Sequence, residues 1–86
     1  MSLSEGQRKV LEVLAEKSNR NPGMSVFDTA IVQESGLPAH EVNTYLNQLE
    51  GLGLIILGMK AAGANYRLVN ITGNGLNATY QNRGPR

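Results

Sequence analysis

Five polar side chains, His40, Asn43, Thr44, Asn47 and Gln48, alternate in helical rhythm with the apolar Val42, Leu46 and Leu49. At about 100° per residue the three apolar positions fall along one line. The polar five take the opposite face, with Glu41 at its edge and Tyr45 on the border of the apolar stripe. Such a helix buries one stripe and offers short amides and hydroxyls on the other. Asn and Gln each hold out a donor and an acceptor together, which matches the major-groove edge of adenine. The same residues also make an ordinary wet face. Asn, however, is a poor choice where helix stability is the sole need, and that tilts the reading toward a contact surface.

The chemistry these residues support is binding, not catalysis. His40 is the sole histidine, and nothing near it in sequence completes a triad or a metal site. There is no cysteine, so neither a disulfide framework nor a thiolate metal site can form. Gly73-Asn74-Gly75 is too short for a dinucleotide loop, and no Gly-rich stretch leads into a Gly-Lys-Ser or Gly-Lys-Thr. The expectation is therefore no enzyme, no catalytic residue, no metal, no cofactor and no small-molecule ligand.

A reading helix must be held from behind, and the stretch from Phe27 to Ile55 supplies the holding. It predicts a short helix, a tight turn at Gly36-Leu37-Pro38, a second helix from Pro38 to about Leu52, and a Gly-rich exit. The short helix begins between Ser25 and Asp28 and ends near Ser35, capped by Asp28 alone or by Ser25 and Asp28 as a pair. Phe27, Ile31 and Val32 are its expected buried residues, with Ala30 beside them. Gly36 can take the left-handed conformation that ends a helix. Leu37 drops into the core, and Pro38 suits a first helical turn, where its missing N–H costs nothing.

Support comes from both sides. Residues 4–18 predict a first helix, with Ser4 and Gln7, or Ser2 and Glu5, as a capping box. Its stripe is Leu3, Val10 and Leu14, flanked by Leu11 and Val13, and its charges make a solvated face. Residues 18–23 are a loop by composition, and Met24-Ser25-Val26 can add a third strand to a small sheet. After Gly51 and Gly53 stop the reading helix, Leu54–Met59 is a largely buried strand. Lys60–Asn65 is a small-residue tip and Tyr66–Ile71 the return strand, which completes a β-hairpin. Thr72 can cap a last segment, 73–82, with Leu76, Ala78 and Tyr80 apolar. Residues 83–86 are expected to be a disordered basic tail.

With 86 residues the chain is one small domain, spanning 1–82 ahead of that tail. No apolar run approaches the roughly 18 residues that span a bilayer. The first residues lack the basic start and apolar block of a signal peptide. A cytoplasmic, membrane-free setting is the expectation. The net charge of +1 hides an asymmetry. Residues 1–50 carry four basic groups against seven acidic ones, whereas 51–86 carry Lys60, Arg67, Arg83 and Arg86 and no acid. A polyanion would be held mainly by the last third.

Three segments carry a resemblance across nearly the whole chain. LSEGQRKVLEVLAE at 3–16 looks like the opening helix of small regulators. SGLPAHEVNTYLNQLEGLGLI at 35–55 is similar to a pattern of Gly-Leu, a small or capping residue, Val, Leu pairs, then Leu-Gly-Leu-Ile into a hairpin. YRLVNITGNGL at 66–76 looks like a second wing strand leading through Ile-Thr-x-x-Gly into a C-terminal helix. Together they resemble the winged helix-turn-helix family of bacterial and archaeal transcription regulators.

The resemblance implies an α+β, mainly α fold: a three-helix core, a small antiparallel β-sheet wing and a short C-terminal helix. It implies double-stranded DNA as partner, with a second copy of the chain as a further one. Helix 38–52 would enter the major groove, with His40, Asn43, Thr44 and Asn47 facing bases and Gln48 near the backbone. The hairpin 54–71 would lie on the backbone or in the minor groove, with Lys60 and Arg67 on phosphate. Many family members carry Arg or Lys on the recognition helix. Here that helix has none and carries Glu41 and Glu50, so it is expected to read with amides and hydroxyls while the wing does the holding. The alternative is a winged helix used as a protein–protein interaction module within a larger assembly.

Overall fold

The computed structural model describes residues 3–60 and 63–81. In chain order these form α1 (Glu5–Lys17), β1 (Val26–Phe27), α2 (Asp28–Ser35), α3 (Ala39–Gly51), β2 (Ile55–Leu57), β3 (Leu68–Ile71) and α4 (Gly73–Gln81). The expected tail at 83–86, and Asn82 at the end of the last segment, lie outside the described residues.

α1 starts with the anticipated capping box. The Ser4 hydroxyl accepts from the Gln7 backbone N–H at 3.2 Å, and the Gln7 side-chain oxygen accepts from the Ser4 N–H at 2.9 Å. Two amides that the helix leaves without partners are thereby satisfied. Val10, Leu11, Leu14 and Ala15 are buried along one stripe. They meet Ile31 of α2, Val42, Leu46 and Leu49 of α3, Leu54, Ile55, Val69, Ile71 and Ala78 in a single core. Burying each of these Leu, Ile or Val side chains contributes about 1.5–3 kcal/mol, so the apolar stripes fix how α1 and α3 face each other.

The turn between α2 and α3 is built as expected at Gly36, whose φ of 72° is left-handed. Ser35 adds a device not read from sequence. It is buried, and its hydroxyl donates to the Val32 carbonyl and accepts from the Leu37 N–H at 3.2 Å. Leu37 is half-buried against the core. Pro38 sits one residue before α3, and its carbonyl accepts from the Glu41 and Val42 N–H groups.

The sheet has the order β1-β3-β2, antiparallel throughout, with Val69 opposite both Val26 and Leu57. The third strand is therefore present, at Val26–Phe27 rather than 24–26. Strand alternation explains one correction. Val26 points into the core, so its neighbour Phe27 points out and is 50% exposed, stacked in a tilted contact with Tyr66 at 4.7 Å between ring centroids. A second correction concerns the cap of α2. Neither Ser25 nor Asp28 caps it: the residue before the helix is Phe27, which has no side-chain cap. The Ser25 hydroxyl instead donates to Asn70, and the Asp28 carboxylate accepts from the Arg67 N–H. Both groups were captured by distant partners that only the fold brings near.

The hairpin is shorter and wetter than expected. β2 covers Ile55–Leu57 alone, Ile56 is exposed on the outer sheet face, and Met59 is 95% exposed. The return strand begins at Leu68, which leaves Tyr66 and Arg67 ahead of it. α4 is capped as expected, the Thr72 hydroxyl accepting from the Gly75 N–H at 3.0 Å and donating to the Gly53 carbonyl at 2.9 Å. Ala78 is buried and Leu76 half-buried, but Tyr80 is half exposed and the buried polar residue is Thr79. The Thr79 hydroxyl donates to Leu76 and accepts from Arg20 at 3.1 Å, and the Arg20 guanidinium lies 5.1 Å from the Tyr80 ring centre.

Candidate nucleic-acid interface

α3 has the two faces anticipated for it. Val42, Leu46 and Leu49 are fully buried, Tyr45 is half-buried, and His40, Asn43, Thr44, Asn47 and Gln48 are exposed together. Burial of the stripe against α1 orients the polar face outward. Gly6 helps to seat it. A methyl group at Gly6 would overlap the Tyr45 ring, so α1 offers a bare backbone where α3 presses its aromatic side chain.

Three of the five polar residues already have partners. The Thr44 hydroxyl donates to the His40 carbonyl at 3.0 Å, one turn back. The Gln48 side-chain oxygen accepts from the Gln7 amide at 2.8 Å, which ties the middle of α3 to the first turn of α1. Asn43 Oδ1 accepts from Arg67 Nη2 at 3.2 Å. No such engagement occupies the Asn47 amide among the described residues.

The Asn43–Arg67 contact brings a positive charge to α3. Arg67 was expected at the start of the return strand, on phosphate. It precedes β3, and Asp28 grips its backbone at both ends. The Arg67 N–H donates to Asp28 Oδ1 at 3.1 Å, and the Asp28 N–H donates to the Arg67 carbonyl at 3.0 Å. So held, the side chain reaches the exposed polar face of α3 at Asn43. Its guanidinium has no carboxylate partner among the described residues, where the one ion pair joins Lys17 to Glu34 at 3.3 Å. The helix that lacks a basic residue thus borrows one. Asp28 is the residue that sequence reasoning missed here: its type was noted as a cap, and nothing local marked it as the holder of Arg67.

The acids of α3 do not crowd this face. Glu50 turns toward the hairpin, where Oε2 accepts a long hydrogen bond of 3.4 Å from the Leu57 N–H. Glu41 lies in the first turn, where a negative charge suits the helix dipole. Lys60 is exposed at the near end of the hairpin tip and bonds to none of the other site residues. A groove runs along α1 between alternating acids and bases, from Glu5 to Lys17 and Glu34, and none of the expected site residues lines it. No set of three His, Asp or Glu side chains among the described residues could hold a metal ion, and no helix there is long and apolar enough to cross a membrane.

No protein-family model matches the sequence, and no curated protein matches it significantly. Solved structures do. A protein from Ralstonia eutropha JMP134, provisionally described as DNA-binding, superposes with a TM-score of 0.80 at 23% identity, covering 96% of this chain and 100% of that one. A MarR-family transcriptional regulator from Rhodococcus sp. RHA1 gives 0.76 at 17% identity, covering 94% of this chain and 53% of its own. BpsR of Bordetella bronchiseptica, whose DNA binding is regulated by 6-hydroxynicotinic acid, gives 0.76 at 18% identity over 93% and 56%. The chain spans about half the length of the latter two. The shared architecture is the winged helix-turn-helix: a core of helices, a three-stranded antiparallel sheet and a hairpin wing.

Proposed function

We propose that this chain is the DNA-binding domain of a transcriptional regulator, with α3 in the major groove and the hairpin on the backbone or in the minor groove. The observation that carries the reading is the junction of Arg67 with Asn43. It sets a cation with no carboxylate partner among the described residues beside exposed amides, on a helix whose Val42, Leu46 and Leu49 are buried. Phosphate contacts position a protein and base contacts specify the sequence; Lys60 serves the first role, and His40, Asn43, Thr44 and Asn47 the second. Gln48, tied back to α1, lies toward the backbone. The named DNA binding of the structurally similar proteins supports the same reading. A second copy of the chain would present two such helices to half-sites about one helical turn apart.

Fluorescence anisotropy on random duplex DNA at low and moderate salt tests this. Affinity should fall as salt rises, since counterion release scales with the phosphates contacted. Binding without salt dependence, or none at low salt, refutes it. A second reading, a protein-interaction module, draws on the exposed apolar residues of the outer sheet face, Phe27, Ile56 and Leu68. Changing Asn43 and Asn47 to Ala separates the two. Loss of DNA affinity supports the first, and lost partner binding with unchanged DNA affinity the second.

A further inference from the structure

The amides on α3 are not free to present either end. Arg67 donates only, having no acceptor, so the atom of Asn43 that it meets is the side-chain oxygen, and the Asn43 NH2 points away. The same logic fixes Gln48. The Gln7 oxygen is occupied by the Ser4 N–H, which leaves the Gln7 NH2 to donate to the Gln48 oxygen and turns the Gln48 NH2 outward. Two separate elements, the wing and the first turn of α1, thus impose the same polarity on its amides.

We infer that Asn43 and Arg67 form a composite reader of guanine rather than of adenine, an inference that rests on the DNA-binding reading above. The pair offers the Asn43 NH2 and the remaining guanidinium N–H groups, all donors. Guanine presents two acceptors on its major-groove edge, N7 and O6, whereas adenine presents N7 beside an N6 amino donor. An adenine bound by Asn43 in the usual two-bond manner must give its N6–H to Asn43 Oδ1. That oxygen has a second lone pair, but reaching it brings the amino group against the guanidinium, donor against donor. Guanine meets no such conflict, and its acceptors also gain from the unpaired positive charge. Arg67 is therefore a specificity-determining residue, contacting the base and setting the orientation of Asn43.

The test is selection of bound sequences from a random duplex pool with the wild-type chain, Asn43→Ala and Arg67→Met, each checked for folding by circular dichroism. The position at which Asn43→Ala loses preference marks the base read. There the wild type should favour guanine over adenine by about 5- to 150-fold, the range for a good two-bond contact. Arg67→Met, which frees Oδ1, should shift that position toward adenine. Placing 7-deazaguanine there removes N7 and should weaken wild-type binding about tenfold. Adenine at that position in the wild type overturns the inference. So does a motif that neither substitution alters, or full tolerance of 7-deazaguanine. A wild-type chain that enriches no duplex overturns the DNA-binding reading itself, a separate result.

Discussion

Two glycines in the first turn of α4 should respond in opposite ways to the same substitution. Gly73 has nothing within 4 Å of the position a methyl group would take. Gly75 is buried, and its methyl would overlap the Leu54 carbonyl oxygen and lie 2.8 Å from Ile71 Cγ1. Replacing glycine by alanine in a helix gains about 0.5–1 kcal/mol from backbone entropy alone. At Gly73 nothing opposes that gain, so Gly73→Ala should raise the melting temperature by roughly 2–8 °C for a domain of this size. At Gly75 the obstacle is backbone. The Leu54 carbonyl is fixed by accepting from the Thr72 N–H at 3.1 Å, so α4 must lift instead. Lifting strains the Thr72 hydroxyl bonds to Gly53 and Gly75. Overpacking of this kind costs about 1–3 kcal/mol. After the helix gain is subtracted, Gly75→Ala should lose up to about 2.5 kcal/mol, a fall of up to roughly 20 °C. Thermal and urea unfolding followed by far-UV circular dichroism measure both. A Gly75→Ala chain as stable as Gly73→Ala would refute the close approach of α4 to the Leu54 backbone just ahead of β2.

Arg20→Ala removes the hydrogen bond to Thr79 and the contact over Tyr80, and should cost about 1–2 kcal/mol in urea unfolding; an unchanged midpoint refutes that role. Gly6→Ala should destabilise by about 1 kcal/mol, because crowding of Tyr45 exceeds the helix gain. In a Tyr45→Leu background the same change should be neutral or stabilising, and a double-mutant cycle without coupling would count against the contact.

The parts of the fold that were legible in sequence are those whose causes are local. The Ser4–Gln7 capping box, the left-handed Gly36 and the Val42–Leu46–Leu49 stripe each depend on residues within a turn or two. The misses share the opposite cause. Phe27 was read at helical spacing with Ile31, but pairing of Val26 with Val69 made it a strand residue and turned it outward. Ser25 and Asp28 look like caps until β3 arrives with Asn70 and Arg67. Thr79 has no apolar pattern to announce its burial; its position follows from Arg20, which the α1–β1 loop delivers with φ of 57°. The candidate site divides the same way. The polar face of α3 was visible as a list of residues. Which atoms of it remain available was not, because Gln7 and Arg67 reach it from 41 and 24 residues away.

The two-way grip of Asp28 on the Arg67 backbone has a geometric consequence. Because β3 is the central strand, the root of the hairpin is riveted to the start of α2 on one side and paired with β2 on the other. The offset between α3 and the hairpin root is then a fixed length, and the pair behaves as a ruler. In the DNA-binding role proposed above, a duplex whose grooves do not match that spacing would bend or change its groove width to touch both. Sequence would then be sensed partly through how readily the DNA yields, at base pairs that no side chain reaches.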